Sequence, residues 1–186
     1  MPLDDIRKPS QNKRGSLTRG MELRFVLLFL LIFFVLQYAY SASRGSMIEH
    51  FIIDIATVRP SAAIINLIAP DTNAKASGHR IISPQGSLSI LNGCEGTETM
   101  FLLIAAIITF TAPWKQKLKG VLMGIIFVYA LNQVRIFALF FAAQQNRKWF
   151  DLLHGYIAPT LIIVLGCLFF LWWASSANSN EPTNPA

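Results

Sequence analysis

The chain has 186 residues, 53% of them hydrophobic and only 14% charged, with a mean hydropathy of +0.47. A composition this apolar excludes a soluble domain of that size and points to a polytopic membrane protein forming one compact domain. The net charge is +6, and the two cysteines, Cys94 and Cys167, lie in different segments with no C-x-x-C, which argues against a disulfide framework or a thiolate zinc site.

Residues 1–20 are polar and rich in Arg, Lys, Ser and Gly, and are expected to form a disordered basic cytoplasmic tail. An apolar run follows at 25–40, broken only by Gln37; extended to 23–42 it is long enough to span a bilayer. Ser41, Ala42 and Ser43 suit a signal-peptide cleavage site, but the run exceeds a usual h-region, so a retained helix is expected. Further on, Ile48, Phe51, Ile52 and Ile55 recur at helical spacing with Glu49, His50 and Asp54 between them, which predicts a helix lying on the membrane. Pro60 should stop or kink it, and 63–68 should form a second short helical turn. Segments 80–83 and 87–91 flank Pro84-Gln85-Gly86 and predict a hairpin leading into Cys94. Three further spans are expected at 97–114, 120–143 and 152–173, the last kinked at Pro159, with a polar cytoplasmic tail at 174–186. The expected fold is therefore an all-α polytopic membrane domain over 21–173, with four transmembrane helices and an extracytoplasmic segment between the first and second.

Orientation follows from the basic residues. Arg7, Lys8, Lys13, Arg14, Arg19 and Arg24 precede the first span, and Lys115, Lys117 and Lys119 crowd the loop before the third. Both groups belong in the cytoplasm by the positive-inside rule, outnumbering Arg147 and Lys148 in the last loop. Segments 44–93 and 144–151 are then outside. Trp114, Trp172 and Trp173 mark the inner interface, and Tyr40, Trp149 and Tyr156 the outer one.

This topology gathers three reactive side chains at the outer face. Cys94 lies between Gly93 and Gly96 at the N-terminus of the second span, where unpaired N–H groups and the helix dipole favour a thiolate and could hold an oxyanion. Its bland alternative is a small buried hydrophobe, the role expected of Cys167. Arg135, with Asn132 one turn before it, interrupts an apolar helix; a guanidinium there either stabilises charge at the thiol or pairs with Glu95 or Glu98. His154, beside Gly155, could exchange a proton with the thiol or simply be hydrated at the interface; His50 and His79 are rival bases.

The ordered motifs Asn92-Gly93-Cys94-Glu95-Gly96, Asn132-Gln133-Val134-Arg135 and His154-Gly155 resemble those of the exosortase/archaeosortase family of membrane cysteine transpeptidase-like enzymes, over residues 20–173. The chain is most similar to its short, single-domain exosortase members. The resemblance implies Cys94 as nucleophile, His154 as general acid/base and Arg135 as oxyanion stabiliser, supported by Asn132, Gly93, Gly96 and Glu95. It further implies a bacterial inner-membrane enzyme whose active site faces the periplasm. The implied partners are membrane-anchored proteins bearing a C-terminal sorting signal, made of a Pro-Glu-Pro-like motif, one transmembrane helix and a basic cluster, together with an acceptor of unknown kind. No metal, organic cofactor or nucleic acid is indicated. Two rival readings remain: a membrane thiol oxidoreductase, which would need Cys167 to reach Cys94, and a non-enzymatic subunit binding anionic lipid or a partner helix through Arg135, Arg147 and Lys148. A zinc protease is disfavoured because H-E-x-x-H is absent.

Overall fold

The computed structural model describes residues 10–91 and 94–179, so residues 1–9 of the expected basic tail, Asn92, Gly93 and residues 180–186 lie outside it. Helix α1 runs over Ser10–Ala42, so residues 10–20 of that tail are helical. Its large apolar side chains, among them Leu27, Leu31 and Phe34, face outward, as a helix surrounded by lipid requires.

A second helix begins at Ser46, whose hydroxyl caps it by accepting from the Ile48 N–H at 3.2 Å. It is continuous over Met47–Ile68: α2 (Met47–His50), a π-helical stretch (Phe51–Val58) and α3 (Arg59–Ile68). Of the two outcomes expected at Pro60, a stop or a kink, the stop is absent. The widened turn before the proline accommodates its ring, and Tyr129 donates to the Ala56 carbonyl at 2.8 Å, the acceptor that an N–H at position 60 would have used. The apolar stripe of Ile48, Phe51 and Ile55 is exposed, while Ile53, Val58 and Ile65 face the core.

Three short antiparallel strands follow in the order β1 (Lys75–Ser77), β2 (Arg80–Ser83) and β3 (Gly86–Ser89). The hairpin is the expected one, closed by Ser83 opposite Gly86. Strand β1, pairing Lys75 with Ile82, was not expected, because Lys-Ala-Ser carries no strand-favouring side chain. Ile81, Leu88 and Ile90 bury themselves against Ile136, Leu139 and Phe140 of a later helix, which places the sheet over one end of the molecule.

Helix α4 (Thr97–Thr109) is only 13 residues long. It stops short of the expected 114, and the Lys117 ammonium donates to the Ile108 carbonyl at 2.7 Å at its C-terminus. Helix α5 (Trp114–Gln145) has 32 residues. The last helix is continuous from α6 (Arg147–Leu152) through a π-helical turn (Leu153–Ile157) into α7 (Ala158–Ser179). Pro159 thus follows a widened turn, as Pro60 does. Glycines let α5 pack closely: a Cβ at Gly120 would lie 2.3 Å from the Trp173 indole, and one at Gly124 would lie 2.8 Å from Leu103. Trp173 is therefore packed inside the molecule, 5% exposed. Among the described residues four helical stretches are long and apolar enough to cross a membrane: Glu22–Ala42, Met47–Ile68, Trp114–Gln145 and Arg147–Ala177.

Candidate active site

Cys94 sits in the bend before α4, its N–H donating to the Leu91 carbonyl at 2.9 Å. Gly96 begins the helix with φ +80, a conformation that favours glycine. A Cβ there would also lie 3.0 Å from Cγ of Asn132, so this glycine brings the Cys94 bend directly onto α5. Arg135 is three residues along from Asn132, on the same side of that helix.

His154 belongs to the π-helical turn of the last helix and places Nδ1 3.9 Å from Cys94 Sγ. Its ring stacks on Phe150, with centroids 5.4 Å apart and planes 4° from parallel. A Cβ added to Gly155 would meet nothing, which leaves the approach beside the imidazole open. Arg135 lies within electrostatic reach of both Cys94 and His154. The guanidinium makes no ion pair among the described residues, and its Nε is buried without a hydrogen-bond partner. The structure therefore brings a thiol and an imidazole from separate segments together, with a guanidinium from a third close enough to act on both electrostatically.

The alternative role of Arg135, an ion pair with Glu95 or Glu98, is not formed among the described residues. Glu98 is exposed, and Glu95 is engaged elsewhere: it is 5% exposed and accepts from the Tyr40 hydroxyl at 2.8 Å and from Thr97 at 3.2 Å. Nor is Cys94 a stabilised thiolate at rest. Burial pushes its thiol above the ordinary range; Arg135 pulls it down, Glu95 pushes it up again, and burial wins. The rival histidines are placed apart from it. His50 pairs with Asp54 at 3.1 Å, and with His79 both line a different cavity of about 360 Å³ that Cys94 does not enter. Cys167 is exposed, not buried as expected, and lines an apolar cavity with Phe29 of α1. Both cysteines are free.

A family model described as transmembrane exosortase matches residues 16–173. The chain belongs to the exosortase family. No curated protein and no solved structure gives a match. The match covers α1 to the body of α7 and so includes Cys94, Arg135 and His154; the exosortase is a multi-pass membrane protein. Two neighbours of its site were not read from the sequence. Phe150 is four residues before His154, a helical neighbour hidden by starting that helix at 152. Tyr40 is 55 residues from Glu95, and no local pattern announces that contact.

Proposed function

We propose that this exosortase is a membrane-embedded cysteine peptidase/transpeptidase, cleaving a C-terminal sorting signal at the outer face of the cytoplasmic membrane and passing the substrate to an acceptor. The observation that carries this reading is the 3.9 Å approach of Cys94 Sγ to His154 Nδ1 beside an unpaired Arg135. His154 takes the thiol proton as sulfur attacks the scissile carbonyl. The tetrahedral oxyanion forms next to the Arg135 guanidinium. Collapse breaks the C–N bond, the leaving amine takes the proton from His154, and a thioester remains on Cys94. A second nucleophile then attacks the thioester, giving its proton to His154 and releasing Cys94.

The substrate is a membrane-anchored protein carrying a short recognition motif, a transmembrane helix and a basic cluster. A cavity of about 320 Å³ supports lateral docking of that helix. It is walled by Thr99 and Ala106 of α4, Gly166 and Cys167 of α7, and Phe29 of α1. Its two main walls belong to the helices that Cys94 and His154 precede, and its small side chains permit close helix approach. The basic residues before α1 and around Lys117 orient the site outward.

Co-expression with a protein carrying such a signal, read by its size shift, tests this reading. Wild type and Cys167→Ala should process it and Cys94→Ala should not. Processing by Cys94→Ala overturns the mechanism.

A further inference from the structure

The first helix contributes nothing to the thiol, imidazole and guanidinium, yet its end reaches the residue next to the nucleophile. Tyr40 donates to Oε1 of Glu95 at 2.8 Å, and Thr97 donates to the same oxygen at 3.2 Å. Glu95 is 5% exposed, and its Oε2 is buried with no hydrogen-bond partner. A buried carboxylate with no cation paired to it is a costly feature to keep for stability alone. The Tyr40 ring is held edge-on to Phe101 of α4, with centroids 5.9 Å apart, which fixes the direction of its hydroxyl. Glu95 also acts electrostatically on Cys94, opposing the negative charge that sulfur must acquire.

We propose that Tyr40 and Glu95 form a latch that positions Cys94: the Tyr40 hydroxyl holds the Glu95 carboxylate, and with it the nucleophile loop, in register with His154, and draws carboxylate charge away from the sulfur. The proposal rests on Cys94 being the nucleophile. Tyr40 and Glu95 are positioning residues, since neither touches the substrate. The other charged or titratable groups about the site are Arg135 from α5, His154 from the last helix, Asp151, which acts on His154, and Glu49 and Arg44, which act on Tyr40 from beyond the end of α1. No hydrogen bond joins Arg135, His154 or Asp151 to Glu95, so Tyr40 is the side chain through which α1 acts on the loop.

The test uses the full chain in lipid vesicles with Cys167→Ala, leaving Cys94 as the sole thiol. Alkylation of Cys94 by iodoacetamide is followed against pH, and processing is measured in cells. Tyr40→Phe keeps the ring and removes the donor. It should move the alkylation midpoint up by about half a pH unit or more and slow processing about tenfold. Glu95→Gln keeps an acceptor for Tyr40 and removes the charge, so it should move the midpoint down. In a Glu95→Gln background, Tyr40→Phe should no longer move the midpoint. An unchanged profile and rate in Tyr40→Phe overturns the latch. So does an equal shift with and without Glu95, which would make Tyr40 a packing residue only. Alkylation needs no substrate, so failure of the latch and failure of the processing reading are seen separately.

Discussion

On the proposed mechanism, a thiol held above its ordinary range loses its proton at the moment of attack, and His154 is the group that would receive it. Arg135 would have a different duty. It acts on the Cys94 sulfur as a positive charge and forms no ion pair among the described residues, so on that mechanism it would be available to an oxyanion. Arg135→Lys should therefore process at least about a hundredfold more slowly, because an ammonium lacks the planar fork. The rate of substrate conversion by the purified protein in vesicles measures this, and wild-type activity would reduce Arg135 to a generic charge. Removing the charge altogether, in Arg135→Gln, should raise the pH at which Cys94 is alkylated, since the one cation lowering its acidity range is lost. These residues stood out in the sequence because each is chemically out of place: an arginine in an apolar helix, a cysteine in a glycine-rich bend. Tyr40 did not, because an interfacial tyrosine at the end of a span is unremarked there, and its partner is set by how α1 meets α4.

At the level of elements, the site depends on backbone that departs from regular helix. Gly96 opens α4 in a left-handed conformation and lies against Asn132. Gly96→Ala should cost about 1–2 kcal/mol from the backbone alone, with added strain against the amide. A lower melting temperature in detergent and lost processing are the expected readouts. Adding Asn132→Ala should recover part of the stability, since it removes Cγ and Oδ1 but neither Cβ nor the backbone strain. The two π-helical stretches each precede a proline, Pro60 and Pro159, and the second carries His154. Hydropathy separates helix from strand by period, but a single widened turn barely alters that period, so both stretches read from the sequence as breaks or kinks at the proline. The hairpin was legible because strand-like segments flanked a cluster of turn residues; β1 was not, since its pairing is imposed by β2.

Across the whole molecule, the sheet and the start of the last helix gather at the Gln145 end of α5, while the end of α1 reaches the bend that packs on Asn132. Gln144 donates to Ser83 at 3.3 Å, and Ser61 donates to Gln133 at 2.6 Å. Residues 56 and 61 contact 129 and 133 in the same order, so the second helix runs in the same sense as α5 and delivers the sheet to that end. Lys117 lies at the other end of a helix of 32 residues, about 48 Å long. Single cysteines at 75 and 117, in a chain lacking Cys94 and Cys167, should be labelled by an impermeant maleimide from opposite sides of the membrane; labelling from one side would overturn the outward orientation. Three of the four apolar stretches fall where spans were expected, at 23–42, 120–143 and 152–173; the fourth, Met47–Ile68, was expected to lie on the membrane. The second helix is as span-like in length and composition as the others, while the segment at 97–114 yields only the short α4.

That shortness carries a consequence of its own. Thirteen residues of helix measure about 20 Å, against a bilayer core of about 30 Å. Where lipid meets α4, so brief an apolar surface favours a thinner bilayer beside it. On the proposed mechanism that thinning would lie at Cys94, letting water reach a depth that elsewhere belongs to acyl chains. A peptide bond close to the end of a substrate's transmembrane helix would be hydrated there without leaving the bilayer.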